Sequence, residues 1–107
     1  MEDIQARVNR ETVRGYRTFV VDETVDLTAR DLIVDVHSDG ANATANLPNP
    51  ILTMGKVIDL TVRETGSNST AEVLDHEGVS IISESAGGTG YAVVFSNGDE
   101  YRTLVSG

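Results

Sequence analysis

Hydrophobic and polar residues alternate over short distances along most of the chain, which is the pattern of β-strands. The alternation is longest in residues 56–63, where Ile58, Leu60 and Val62 share one side and face the expected core. The other strand-like runs are short and are separated by turn residues. The nine predicted strands are residues 17–21, 24–27, 32–36, 43–47, 56–63, 71–74, 79–83, 91–96 and 100–105. Turn signals roughly every ten residues predict an all-β sandwich or barrel of about nine short, mostly antiparallel strands.

The last two predicted strands form the strongest local signal in the chain. Residues 91–96 and 100–105 flank Asn97-Gly98, a pair that suits the positive φ angles of a tight hairpin turn. Both sides of the first of these strands are largely apolar. A strand of that kind is expected to be buried on both faces. We therefore expect it at the centre of the domain, with the earlier strands gathered around it.

The first fifteen residues differ from the rest. Ile4 and Val8 have helical spacing, but their apolar stripe is too thin for a stable isolated helix. The sequence therefore predicts an N-terminal arm over residues 1–15 and a single β domain over residues 16–107. In a helical turn, Arg7, Arg10 and Arg14 would lie on one side. The arm is then either a frayed terminus or an attachment segment that orders on a partner.

The amino-acid composition argues against disulfide-stabilised, thiolate-metal and membrane-spanning proteins. The chain has 107 residues and no cysteine, so neither a disulfide framework nor a thiolate metal site is available. No apolar run approaches the ~20 residues that a membrane-spanning helix needs, and the N-terminus lacks the apolar stretch of a signal peptide. We therefore expect a protein that is made and kept in the cytoplasm and has no membrane partner.

Charge is distributed unevenly. Seventeen acidic and eight basic residues give a net charge of −9, yet half of the basic residues lie in the first seventeen positions. That segment has a net charge of +1, and residues 18–107 have −10. An acidic body would repel phosphates, so the sequence argues against nucleic-acid binding. Net charge of this size favours solubility, and it also suits contact with a basic surface.

Candidate catalytic and metal-binding groups are sparse. Asp35, His37 and Asp39 would share one face of a continuing strand and could hold a cation, although a polar strand end explains them more simply. Ser80 and Ser83 are not set in a nucleophile elbow. The glycines of residues 87–90 lack the lysine and following helix of a phosphate-binding loop. We expect no enzymatic activity, no cofactor and no metal.

Several segments between residues 16 and 106 together carry a resemblance to a known group of proteins. Leu47-Pro48 ends a strand, Gly55-Lys56 follows a short loop, and a long alternating strand comes next. The chain closes with a serine, a glycine-containing turn and an aromatic residue, Tyr101. This order resembles β modules of bacteriophage virion proteins, namely tail fibres, spikes and head-decoration proteins. It differs in two respects: the closing aromatic of those modules is usually tryptophan, and here no repeats or fibrous stalk precede the module.

The resemblance implies a structural role on a virion that is assembled in the host cytoplasm. No repeats or fibrous stalk precede the module, which favours a capsid decoration (cement) protein that binds and stabilises the head. The implied partners are the major capsid protein or another virion protein, and the implied state is a homotrimer. Arg7, Arg10 and Arg14 are then candidates for capsid attachment. A tail-fibre or tail-tip module is the alternative, as is a carbohydrate-binding β module, which would need exposed aromatic side chains.

Overall fold

The computed structural model describes residues 17–66 and 68–107, and it contains all nine predicted strands. The strands are β1 Arg17–Val21, β2 Thr24–Asp26, β3 Ile33–Ser38, β4 Ala43–Asn46, β5 Val57–Glu64, β6 Thr70–Leu74, β7 Ser80–Ser85, β8 Thr89–Ser96 and β9 Tyr101–Ser106. One short 3-10 helix, Pro50–Thr53, precedes β5. The prediction of a small all-β sandwich is confirmed.

Two mixed sheets make up the sandwich. The five-stranded sheet has the order β1-β3-β5-β8-β9, and the four-stranded sheet has the order β2-β4-β6-β7. The first six strands pass alternately from one sheet to the other, so that β1, β3 and β5 are parallel, as are β2, β4 and β6. The chain thus makes three stacked two-strand coils. Three antiparallel pairings then complete the sheets: β6 with β7, β5 with β8, and β8 with β9.

The expectation of mostly antiparallel strands is wrong, because four of the seven strand pairings are parallel. The connection between β1 and β2 shows why. Asp22-Glu23 has the length of a hairpin turn, and Asp22 has a positive φ of 53°. These two residues nevertheless carry the chain across to the opposite sheet. A strand's pattern specifies which side is buried, and it does not specify the direction of the neighbouring strand.

Small aliphatic side chains fill the space between the sheets. The five-stranded sheet contributes valine, isoleucine and leucine, and the four-stranded sheet contributes mainly alanine. The largest buried apolar side chains of β3, β5 and β8 are Val34, Val36, Ile58, Leu60, Val62 and Val94. Ala43, Ala45 and Ala71 face them from the other sheet, beside Val73. Short side chains on one layer let the sheets pack closely, so this core needs no phenylalanine or tryptophan.

The predicted C-terminal hairpin forms, with Asn97 N–H donating to the Glu100 carbonyl, but of the Asn97-Gly98 pair only Gly98 has a positive φ, of 92°. β8 lies between β5 and β9 and points Ala92 and Val94 into the core. Its other side is not covered: Tyr91 is exposed and Phe95 is only partly buried. The expectation that β8 is buried on both faces is therefore wrong, because no layer packs outside the five-stranded sheet within the described part of the chain.

Candidate interaction surface

The outward side of the five-stranded sheet is the most distinctive surface of the described chain, and we call it the open face. Strand register places its residues in rows that run across β1, β3, β5 and β8. The rows are Arg17–Ile33–Asp59–Val93, Phe19–Asp35–Thr61–Tyr91 and Val21–His37–Arg63–Thr89. Val57 and Phe95 form a further pair at the end near the hairpin turn. Alternation along each strand fixes this arrangement, because the residues between these positions face the core.

Large apolar side chains are exposed on the open face. Phe19 is 53% exposed and Tyr91 is 46% exposed, and Val21 beside them is also exposed. The outward side of the four-stranded sheet is different: its rows are polar apart from Leu74, and the Asn46 side-chain amide donates to the Asp26 carboxylate at 2.9 Å. Only one of the two sheets thus presents an apolar surface to solvent. Exposed aromatic groups gathered on one face are characteristic of an interaction site.

Two adjoining depressions give the open face a concave shape. The larger, of about 310 Å³, is the groove, and it lies over the ends of β1, β3 and β5. Phe19 and Val21 form its apolar wall, and His37 and Arg63 form its polar wall. The second depression, of about 250 Å³, includes Tyr91 and shares Thr61 with the groove.

The open face differs from the rest of the domain in its net charge. Residues 17–107 contain fourteen acidic and five basic residues, a net charge of −9. Three of the five basic residues, Arg17, Arg63 and Arg102, are on the five-stranded sheet, where Arg102 pairs with Phe95. They outnumber the two carboxylates of the open face, Asp35 and Asp59. The Arg17 guanidinium lies 2.6 Å from the Asp35 carboxylate. The open face is therefore close to neutral within a strongly acidic body.

The candidate cation ligands do not come together. Asp35 faces Arg17, while the Asp39 carboxylate accepts a hydrogen bond from the Thr65 hydroxyl at 3.3 Å. The same Thr65 hydroxyl lies 2.6 Å from Nε2 of His37. Asp39 therefore contacts the hydroxyl rather than the imidazole, unlike the carboxylate of a catalytic triad. Within residues 17–66 and 68–107, no group of three His, Asp or Glu side chains is placed to hold a metal ion.

A buried glutamate stabilises the glycine-rich connection before β8. Glu64 is fully buried, and its carboxylate accepts hydrogen bonds from the Ser69 hydroxyl at 2.7 Å and from the Gly87 amide at 2.6 Å. Ser38 donates to Ser69 at 2.5 Å and extends this network. The Gly87 amide is thus already bound to a carboxylate. A phosphate at this loop would meet negative charge, consistent with the sequence-based interpretation that it is a connection.

Tyr101 links the closing hairpin to the 3-10 helix. Its hydroxyl donates to the Pro48 carbonyl at 2.6 Å and lies 2.9 Å from the Thr53 hydroxyl. Burial raises the pKa of Tyr101 above its ordinary value of 10.0, and the hydrogen bond from Thr53 lowers it by a smaller amount. The closing aromatic residue therefore has a structural role at this corner.

The predicted attachment residues Arg7, Arg10 and Arg14 lie outside the described residues, as does most of the proposed arm. The described part contains no helix long and apolar enough to cross a membrane. Comparison of the whole chain with protein-family models, curated proteins and solved structures finds no match. The open face itself was not predicted, although one signal was present in the sequence: apolar residues on both sides of β8.

Proposed function

We propose that this chain is a structural protein of a bacteriophage virion, a capsid decoration protein that binds the head surface and stabilises it. The observation that supports a binding role is the open face: an apolar, nearly neutral, concave surface on an otherwise acidic domain. Apolar surface of this kind is stabilised when a protein partner covers it. The virion assignment rests on the sequence resemblance, and the partners it implies are the major capsid protein or another virion protein.

The proposed mechanism is mechanical. One decoration protein contacts several neighbouring capsid subunits, so that separating those subunits requires breaking its contacts as well. A homotrimer suits this role because its three copies present equivalent surfaces to the head. The arm supplies a second attachment point, with Arg7, Arg10 and Arg14 facing an acidic or hydrogen-bonding groove of the capsid. Assembly takes place in the host cytoplasm, where the head is built.

Cosedimentation tests this proposal. Purified full-length protein is mixed with heads of the phage that encodes it, and the pellet is compared with that from protein alone. We expect saturable binding to heads and a higher melting temperature of the decorated particles. Electron microscopy of virions with and without the protein locates it. Density on the tail alone would replace the decoration role with the tail-fibre or tail-tip role, and absence from the virion would overturn the proposal.

Carbohydrate binding is the second candidate, and one observation favours it. Phe19 and Tyr91 are exposed on a sheet face beside polar side chains, which is how carbohydrate-binding β modules present stacking platforms. Such a module needs exposed aromatic side chains, and Phe19 and Tyr91 are available for contact with a sugar. Glycan-array binding that is lost in Tyr91→Ala, with no binding to phage heads, would favour this function.

A further inference from the structure

A second apolar feature lies at the opposite end of the five-stranded sheet from the groove. Ile51 and Leu52 of the 3-10 helix and Met54, the residue after it, are exposed apolar residues, and Leu52 and Met54 are each 60% exposed. We call these three residues the knob. The exposed part of these three side chains contributes nothing to folding, because that apolar surface stays in water.

The corner that carries the knob is rigidly held. Pro50 and Thr53 are buried beneath it, and the Ser96 hydroxyl donates to the Pro50 carbonyl at 2.7 Å. Asn49 caps the 3-10 helix by accepting from the Ile51 amide at 3.1 Å. The contacts of Tyr101 described above complete the support. A preorganised apolar projection loses little conformational entropy on binding, which is the property of an interface anchor.

Both features carry charges of both signs: Lys56, two residues after Met54, donates to the Ala29 carbonyl, and Asp35, which lines the groove, is paired with Arg17. The charges that make no such contact are the ones that differ in sign. Met54 lies against Gly98 in the hairpin turn, where Asp99 and Glu100 are exposed. Neither carboxylate forms a salt bridge within the described part of the chain. Arg63 on the polar wall of the groove also makes no salt bridge among those residues. Asp99 and Glu100 beside the apolar knob thus complement Arg63 beside the apolar groove.

Within a single copy, the knob is too far from the groove to contact it. β5 begins beside the knob at Val57 and reaches the groove at Arg63, six residues further along. At about 3.3 Å per residue, the two ends are roughly 20 Å apart on a rigid strand. We propose that the knob of one copy of this chain inserts into the groove of a second copy, in a head-to-tail contact. This inference rests on the homo-oligomeric state proposed above and specifies its interface.

Head-to-tail contacts have a particular consequence for symmetry. Each copy uses two different surfaces, so repeated contacts close into a ring when the rotation between copies permits it. A groove of about 310 Å³ has room for one or two aliphatic side chains of the knob. The remainder of the open face, including Tyr91 and Phe95, then stays available for the capsid.

Mixing two variants tests this contact. Leu52→Glu alters the knob and Val21→Glu alters the groove, both at exposed positions. Each variant alone should be monomeric in sedimentation velocity, with a dissociation constant raised roughly 100-fold, the effect of leaving one large apolar side chain unburied. An equimolar mixture should form a dimer, because the Val21→Glu copy retains an intact knob and the Leu52→Glu copy retains an intact groove. Val79→Glu, an exposed apolar position outside both features, is the matched control and should assemble like the wild type.

Other arrangements of the copies would give different sedimentation results. If Val21→Glu is monomeric while Leu52→Glu assembles normally, the open faces meet face to face and the knob contact is overturned. If the wild type is monomeric at high concentration but still pellets with phage heads, the contact between copies is overturned while the decoration role survives. Circular dichroism verifies folding, and if a glutamate variant is unfolded, Leu52→Asn and Val21→Thr replace the pair. A mixture of folded variants that stays monomeric also overturns the proposal.

Discussion

At the scale of single residues, Tyr101 shows how one side chain joins two parts of the fold. Its ring packs against the core, and its hydroxyl contacts Pro48 and Thr53 at the base of the knob. The ring of His76, in the turn between β6 and β7, lies edge-on to it with ring centroids 6.3 Å apart. Tyrosine suits this position because its apolar body is buried while its hydroxyl satisfies a backbone carbonyl.

Replacing this hydroxyl should change both stability and its pH dependence. Tyr101→Phe should lower the free energy of unfolding by about 0.5–1.5 kcal/mol at neutral pH, the usual contribution of one hydrogen bond. The pKa of Tyr101 is raised in the folded state, so the unfolded chain loses this proton first as pH rises. Its contribution to stability is therefore complete below about pH 10 and falls as pH rises through the folded pKa.

Urea unfolding at several pH values between about 7 and 11 measures both effects, with tyrosine ionisation itself centred near pH 10. The wild type should lose stability more steeply than Tyr101→Phe above pH 10. Tyr91→Phe, at an exposed position on the open face, is the matched control and should follow the wild type. Equal slopes for wild type and Tyr101→Phe would contradict the assignment of this pH dependence to Tyr101.

At the scale of elements, the C-terminal hairpin and the 3-10 helix act as one unit. The Gly55 amide donates to the Ser96 carbonyl, and the Ser96 amide donates to the Lys56 carbonyl, which joins the end of the 3-10 segment to β8. Met54 lies directly over Gly98 of the hairpin turn. The Asn97 side chain orders that turn by accepting hydrogen bonds from the amides of Asp99 and Glu100, two and three residues further on, at 2.8 Å each.

Gly98→Ala should destabilise this unit for two separable reasons. The φ of 92° disfavours any residue with a Cβ, at a cost of about 1–2 kcal/mol. The new Cβ would also lie 2.6 Å from Sδ of Met54. Urea unfolding should show the larger loss in Gly98→Ala alone and a smaller loss when the substitution is made in a Met54→Ala background. No loss in either background would show that the turn is not held in this conformation.

At the scale of the whole molecule, charge and apolar surface are organised together. The acidic residues lie mainly away from the open face, and the one exposed apolar sheet surface is also the least acidic one. Two copies carrying a net charge of −9 over residues 17–107 repel each other at most relative orientations. Association through the open face and the hairpin corner keeps this repulsion low, so the charge pattern favours a defined assembly.

The arm can be tested separately from the β domain. Because the described domain has its own core, deleting residues 2–14 should leave its melting temperature nearly unchanged. The same deletion should abolish or sharply weaken cosedimentation with phage heads. Changing Arg7, Arg10 and Arg14 to glutamate should also weaken it, and raised salt should reproduce part of this loss through screening. Equal pelleting of full-length and truncated protein would place attachment in the β domain alone.

The amino-acid sequence by itself determined the strands and the terminal hairpin. Alternation of apolar and polar residues is a local property. The turn is local too, because Gly98 takes the positive φ and the Asn97 side chain accepts from the amides of Asp99 and Glu100. Each of the nine strands therefore lies within a few residues of its predicted position. The sequence also contained the signal for the open face, since both sides of β8 are apolar. Its local pattern could not distinguish a strand covered on both sides from one with an unpartnered side.

Only the tertiary structure decided strand direction and the location of the candidate sites. Whether Asp22-Glu23 closes a hairpin or carries the chain to the other sheet depends on contacts with strands far along the chain, such as the pairing of β1 with β3. The same long-range packing leaves Phe19 and Tyr91 on the solvent side of their sheet, because alanine and valine already fill the narrow space between the sheets. It also placed the knob and the groove at opposite ends of one sheet. Such juxtapositions arise from the packing of distant segments, and residue spacing does not encode them.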